Sequence, residues 1–275
     1  MTEAPKQTKE NKASAMVGTM QQTVARPVTV SGKGLLLGKD ADLVIAPAAA
    51  GEGIVFERTD IEPKVQIPAI VSNTTNRARR TTLSNGDVTI ETVEHLMSAL
   101  AGLGIDNTLI RIDGPEVPCG DGSSMPFVEQ LIEAGTVKQD LPRRVMRIHE
   151  PICIQDGSAM IAAFPTDQEG FQVVYDLDYG DASSQIAQQT QAWSSANGSY
   201  VTDVAPARTF SLHEEALALQ SQGLCTHLSP SDILVIGEDG PIDNAFRFDN
   251  EPVRHKILDI IGDLYLAGSF IQGRI

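Results

Sequence analysis

The stretch RHKILDIIGDLYLAG (residues 254–268) has the apolar spacing of a helix that packs against the rest of the protein on one side. Three polar side chains interrupt that pattern at spacings of four: His255, Asp259 and Asp263. Residues four apart lie one above the other on a helix, so these three would share a face. An imidazole nitrogen and a carboxylate oxygen there could both bind one Zn²⁺. A local hydrogen bond between His255 and Asp259 is the alternative, and this pair alone does not decide between them.

A loose internal repeat extends the prediction to the whole chain. Residues 26–48 and 143–165 each read as a strand, a glycine-containing middle and a second strand that ends near a proline. Each copy is followed by a segment with helical spacing around a histidine, at residues 92–107 in the first copy and 251–268 in the second. The strand NTLIRIDG follows the first of these helices, and GSFIQGRI is the corresponding strand after the second.

The repeat predicts an α+β protein with two domains, each a sheet with helices packed on it. We place these domains at residues 21–138 and 142–275, with the second lacking its final helix. Residues 1–20 are polar and are predicted to be a disordered tail. Residues 180–200 are predicted to be a long connection, and residues 213–224 an extra helix.

His95 strengthens the metal hypothesis because it lies on the equivalent helix of the other half. The two histidine-bearing helices could then meet at the interface between the domains. Glu94, the preceding residue, would place a carboxylate beside the site and could activate a water molecule. Three protein ligands with one open position are typical of catalytic zinc. Composition and spacing leave a purely structural role open for these residues.

Composition narrows the class of protein further. The chain of 275 residues has a formal net charge of −15, which argues against a protein that must neutralise phosphates along a nucleic acid. A local basic cluster at Arg77, Arg79 and Arg80 would suit one anionic small molecule. The three cysteines form no C-x-x-C pair, which argues against a disulfide framework and favours a reducing, cytoplasmic setting. No apolar run approaches the ~18 residues of a membrane span.

Four blocks of sequence, in this order, identify a family: TVEHLMSALAGLGIDN, PEVPCGDGSSMPFV, ARTFSL and FDNEPVRHKILDIIGDLYL. Over about residues 21–275 the chain resembles the zinc-dependent UDP-3-O-acyl-N-acetylglucosamine deacetylases, which catalyse the committed step of lipid A synthesis. The resemblance implies two similar βααβ-type sandwich domains with the active site between them. It implies UDP-3-O-acyl-N-acetylglucosamine as substrate and Zn²⁺ as cofactor, and it leaves the oligomeric state open.

The resemblance also implies roles for eight residues. The implied zinc ligands are His95, His255 and Asp259. The implied catalytic residues are Glu94 as general base, Thr209 as a hydroxyl that stabilises the oxyanion, and Asp263 as the support of a catalytic histidine. The implied contacts with the sugar nucleotide are Phe210 and Lys256. The extra helix could form a wall for the acyl chain through Leu212, Leu217 and Leu219, or these leucines could serve ordinary packing.

Two departures from the family pattern affect what is expected. Leu36 stands where the family has a histidine in the first hairpin, so substrate contacts there are expected to differ. The sequence ends at Ile275, before the family's Ser-Gly-His segment, whose histidine protonates the leaving amine. We expect the sequence to be a fragment of a longer protein. A shortened, impaired enzyme and a zinc-binding relative that binds a ligand or partner without turnover are the alternatives.

Overall fold

The computed structural model describes residues 19–180 and 185–275. The predicted tail over residues 1–20 lies outside this part of the chain except for its last two residues. The helices within the described ranges are α1 (Glu94–Leu103), α2 (Met125–Ala134), α3 (Tyr200–Asp203), α4 (His213–Ser221) and α5 (Glu251–Tyr265). No helix among the described residues is both long enough and apolar enough to cross a membrane.

The strands complete an α+β fold. In chain order they are β1 (Met20–Val24), β2 (Val28–Lys33), β3 (Asp40–Pro47), β4 (Ile54–Arg58), β5 (Val65–Pro68), β6 (Thr74–Thr75), β7 (Thr82–Asn85), β8 (Val88–Glu91), β9 (Thr108–Ile112), β10 (Thr136–Pro142), β11 (Val145–Arg147), β12 (Ile152–Asp156), β13 (Ala159–Ala163), β14 (Phe171–Leu177), β15 (Gln189–Ser194), β16 (Phe210–Leu212), β17 (Leu234–Gly237), β18 (Gly240–Pro241) and β19 (Phe270–Arg274).

The first half is built on a five-stranded sheet with the strand order β2-β3-β9-β4-β5. Strands β2 and β3 form the predicted hairpin, from Val28 opposite Ile45 to Lys33 opposite Asp40. Buried and exposed side chains alternate along β3, which is typical of a strand with one face on the core. Gly38 in the hairpin loop has φ +65°, a conformation that a glycine adopts without strain. Helix α1 follows within residues 92–107, where the sequence predicts a helix, and α2 comes after β9.

The second half is built on a four-stranded sheet with the strand order β11-β19-β14-β15. The prediction of a connection over residues 180–200 is wrong for Gln189–Ser194, which forms β15 and pairs along its length with β14. The apolar alternation that marks a strand is weak here, because β15 is rich in glutamine, threonine and serine. β15 lies at the edge of the sheet, where a strand needs few apolar side chains. The β12–β13 hairpin is mostly exposed and meets the sheet through a bridge between Phe164 and Arg274.

Helices α1 and α5 pack directly against each other between the two sheets. A side chain at Gly262 would collide with the main-chain carbonyl of Glu94, so a glycine is required for this close approach. The Tyr265 hydroxyl donates a hydrogen bond to the Ile105 carbonyl at 2.7 Å, which ties the end of α5 to the first half. One apolar core includes buried side chains from both helices. The division into domains near residues 138–142 remains a prediction, and these residues lie in β10, which pairs with β1.

Candidate metal centre and active site

Helices α1 and α5 bring the three predicted ligands together. One ligand atom from each of His95, His255 and Asp259 lies within 4.8 Å of the other two. Asp259 Oδ1 is 3.7 Å from His95 Nε2 and 3.3 Å from His255 Nε2. Both histidines are buried, and the Asp259 side chain is partly buried. The side chains therefore converge on one point.

A hydrogen bond to the surrounding main chain orients the His255 imidazole, and another holds the main chain at His95. His255 Nδ1 lies 3.1 Å from the Ala207 carbonyl oxygen, which can only accept, so Nδ1 carries the proton. This leaves the Nε2 lone pair of His255 directed toward the cluster, as in a metal-binding histidine whose other nitrogen is held by a carbonyl. The main-chain carbonyl of His95 accepts a hydrogen bond from the buried Ser124 hydroxyl at 2.8 Å, which fixes the start of α1.

The protonation states suit a metal site. Burial, and after it the neighbouring His255, lowers the pKa of His95 to about 3. Burial also lowers the pKa of His255, so both imidazoles are neutral ligands near pH 7. Burial alone would raise the pKa of Asp259, but His255 and the Lys256 ammonium outweigh it, and the pKa is lowered overall. Asp259 is therefore ionised.

One oxygen of Asp259 supplies an independent test of the metal hypothesis. Lys256 Nζ donates to Asp259 Oδ2 at 3.0 Å. Oδ1 is buried, faces the two imidazoles and has no hydrogen-bond partner among the described residues. A buried acceptor without a donor is costly unless something else satisfies it, and a cation would do so. The donor set of two neutral imidazoles and a carboxylate fits a divalent metal ion.

Glu94 and Asp263 are the two other carboxylates beside the cluster. Glu94 is the first residue of α1 and only 7% exposed, and burial followed by the nearby Asp259 charge raises its pKa well above the ordinary value. Glu94 Oε2 accepts a hydrogen bond from the Thr81 main-chain N–H at 3.1 Å. Asp263 accepts one from the Thr81 hydroxyl at 2.6 Å, and loss of water around the carboxyl raises its pKa to about 6.

A cavity of about 520 Å³ opens beside these carboxylates. Its walls include the other predicted site residues, Thr209, Phe210 and Lys256. Lys256 Nζ lies 5.6 Å from the centre of the Phe210 ring, and the Tyr179 ring packs edge-on against Phe210 with the ring centres 6.5 Å apart. This end of the cavity therefore offers aromatic faces and one ammonium group. Six of the eight predicted residues line the cavity, and His95 and His255 lie behind its wall.

The helix predicted over residues 213–224 is α4 (His213–Ser221), and residues of α4 line one side of the cavity. Leu219 lines the cavity, whereas Leu217 points outward and is 53% exposed. Arg79 donates to Glu215 of this helix at 2.6 Å, so one member of the basic cluster anchors α4. Leu36 is buried in the wall at the position where the family has a histidine.

Two residues of the site could not be recognised from the sequence. Thr81 lies in an unremarkable run of polar residues before β7, and Tyr179 lies in the segment between β14 and β15. Both reach the cavity only through tertiary packing. Thr81 can be found only when Glu94 and Asp263 are seen on either side of it.

Replacing Asp263 by asparagine is expected to stabilise the metal-free protein at pH 8. The folded-state pKa of about 6 exceeds the ordinary value of 3.8, so the folded protein binds this proton more tightly than the unfolded chain. Ionisation at higher pH therefore costs stability, and asparagine avoids this cost while still accepting from Thr81. In urea denaturation, the gain of Asp263→Asn over the wild type should grow between about pH 4 and pH 6 and stay constant above. A difference independent of pH would contradict the prediction.

Two neutral histidines behind the wall of a cavity, with an aspartate and a buried glutamate in that wall, form the site of a metal-dependent hydrolase. The comparisons with known proteins agree with this class. A family model described as UDP-3-O-acyl N-acetylglycosamine deacetylase matches residues 21–275. The chain belongs to this family, which confirms the resemblance stated above.

Curated relatives support the same assignment. The UDP-3-O-acyl-N-acetylglucosamine deacetylase of Geobacter sp. (strain M21) is 40% identical over 93% of this chain and 83% of its own length. The enzyme of the same name from Cellvibrio japonicus is 39% identical over 90% of this chain and 82% of its own length. That of Pseudomonas entomophila is 38% identical over 92% of this chain and 83% of its own length.

Proposed function

We propose that this chain hydrolyses the 2-acetamido group of UDP-3-O-(3-hydroxyacyl)-N-acetylglucosamine, releases acetate, and acts in lipid A biosynthesis. The names of its relatives supply the substrate. The observation that carries the proposal is the unpartnered Asp259 Oδ1 between two neutral imidazoles, beside Glu94. We propose Zn²⁺ as the metal, held by His95, His255 and Asp259, since this donor set with an open position is typical of hydrolytic zinc.

Bound zinc would lower the pKa of a water molecule toward ~7 and polarise the amide carbonyl. Glu94 acts as general base and takes a proton from the attacking water. Burial and then the Asp259 charge raise the Glu94 pKa, and a bound metal would offset the second of these and favour the ionised form of Glu94. The proton held on Glu94 is then available to the leaving nitrogen as the carbon–nitrogen bond breaks, which yields acetate and a free amine.

Other residues position the substrate. The Thr209 hydroxyl is proposed to donate to the oxygen that becomes negatively charged, and its main-chain N–H is anchored to the Gly122 carbonyl at 2.7 Å. Phe210 and Lys256 are proposed to contact the sugar nucleotide, with the ring as an apolar platform and the ammonium near the anionic part of the substrate. Asp263 is proposed to hold a proton-donating group at the cavity.

We also propose that the protein acts in the cytoplasm. The three cysteines are free, with Cys119 and Cys225 buried and Cys153 exposed, which suits a reducing compartment. The alternative of a zinc-binding relative that binds its ligand without turnover has less support, because the curated relatives carry the names of enzymes.

The proposal predicts metal-dependent release of acetate. Purified protein should contain about one zinc per chain and release acetate from UDP-3-O-acyl-N-acetylglucosamine. Removal of the metal with a chelator should abolish the release, and added zinc should restore it. Acetate release that survives complete metal removal would overturn the metal mechanism. Bound zinc without turnover would instead support the alternative of ligand binding.

A further inference from the structure

Thr81 donates hydrogen bonds to both carboxylates beside the candidate metal cluster. Its main-chain N–H donates to Glu94 Oε2 at 3.1 Å, and its hydroxyl donates to Asp263 Oδ1 at 2.6 Å. Its carbonyl accepts from the main-chain N–H of Val93, the residue before Glu94, at 3.2 Å. All three hydrogen-bonding groups of Thr81 are therefore used at the site.

The two hydrogen bonds join different parts of the fold. Glu94 begins α1 in the first half, while Asp263 lies on α5 in the second half, one turn after Asp259. Thr81 itself precedes β7, whose first pair joins Thr82 to Glu91 of β8. Because the main chain of Thr81 is fixed on the first half, its hydroxyl defines where the Asp263 carboxylate stands relative to Glu94.

From this geometry we infer that Thr81 is a positioning residue, which holds the Glu94 and Asp263 carboxylates in a single arrangement at the cavity wall. The N–H bond occupies one oxygen of Glu94 and leaves the other oxygen for the attacking water. The hydroxyl bond stops the Asp263 side chain from rotating away from the cavity. Thr81 is assigned no step in the reaction itself, and the meaning of the arrangement for turnover rests on the proposed function.

The chain offers a matched set of variants. Thr81→Val removes the hydroxyl with little change in shape, whereas Thr81→Ser keeps it. The main-chain bond to Glu94 survives both changes. The adjacent Thr82 is fully buried, and its hydroxyl has no hydrogen-bond partner among the described residues. Thr82→Val is therefore a control for loss of a threonine hydroxyl at the same strand without loss of a contact to the site.

The first measurement is steady-state acetate release, with zinc content and the temperature of unfolding determined for each variant. Thr81→Val is expected to lower kcat by roughly tenfold to a hundredfold and to leave KM within about threefold, because a misplaced group costs turnover more than binding. Thr81→Ser should recover most of kcat, and Thr82→Val should behave as wild type. A wild-type kcat in Thr81→Val would overturn the inference, as would a loss that is accompanied by loss of zinc or is equalled by Thr82→Val.

The second measurement does not depend on turnover. Crystal structures of the wild type, Thr81→Val and Thr81→Ser should show the Asp263 carboxylate displaced in the valine variant and restored in the serine variant. An Asp263 side chain that keeps its place without the hydroxyl would overturn the inference. A wild type that releases no acetate would count against the proposed function alone, and these structures would then decide the role of Thr81.

Discussion

Replacing Glu94 by glutamine is expected to lower kcat for acetate release by about 10²–10⁴-fold, the usual contribution of a general base. The change keeps a side chain of the same shape, whose amide oxygen can still accept from the Thr81 N–H. It replaces the carboxylate, which can take a proton from water, by an amide, which cannot. Because Glu94 is not one of the three proposed metal ligands, the metal content of the variant should stay at the wild-type value.

Glu91→Gln provides a matched control for this result. Glu91 is also a buried glutamate of the first half, but its carboxylate pairs with Arg80 at 2.7 Å instead of facing the cluster. We expect this variant to keep kcat near the wild-type value. If Glu94→Gln kept a wild-type kcat, another group would have to be the base. If it lost its metal, the loss of turnover would say nothing about proton transfer.

Arg208→Met is expected to lower the free energy of unfolding by about 3–5 kcal/mol, the usual cost of removing one partner of a buried ion pair. Arg208 Nε lies 2.8 Å from Glu251 Oε1, and a second nitrogen lies 3.1 Å from the other oxygen. Glu251 is fully buried, so its charge would lose this partner. Main-chain N–H groups of Arg208 and Arg247 still donate to Glu251, which places the expected loss at the lower end of the range.

This ion pair also lies next to a group that orients one of the proposed metal ligands. Ala207, the residue before Arg208, supplies the carbonyl that orients His255, and the next residue is Thr209. Loss of the pair should therefore weaken metal affinity by about 10–100-fold, as is usual when a group behind a ligand is removed. Denaturant unfolding and a competition assay with a coloured chelator would measure the two effects.

Arg247→Met serves as the control for Arg208→Met. Arg247 pairs with Asp121 at 2.7 Å, but both side chains are about one-third exposed, so this change should cost less than about 1 kcal/mol. The prediction would be wrong if Arg208→Met were no more destabilising than Arg247→Met. It would be wrong in its second part if Arg208→Met kept the metal affinity of the wild type.

The helices that carry the site were predictable from local patterns. Apolar spacing predicted helical segments at residues 92–107 and 251–268, and these contain α1 (Glu94–Leu103) and α5 (Glu251–Tyr265). The convergence of His95 with His255 followed from the repeat. The Ala207 carbonyl, Thr81 and Tyr179 could not be predicted, because nothing in their own segments marks them and their roles depend on contacts between distant parts of the chain. Strand β15 was missed for a related reason, since its pairing with β14, and not its polar composition, makes it a strand.

If His95, His255 and Asp259 hold zinc as proposed, metal binding requires that both halves of the protein be assembled. His95 comes from α1, while His255 and Asp259 come from α5, so a polypeptide cut between β10 and β11 would carry an incomplete set of donors on each piece. Zinc should then favour the reunited pieces over the separate ones, by mass action and without any direct contact at the cut. The ion would act as a removable cross-link between the two pieces. The free zinc concentration would then set the fraction of the two pieces that is associated.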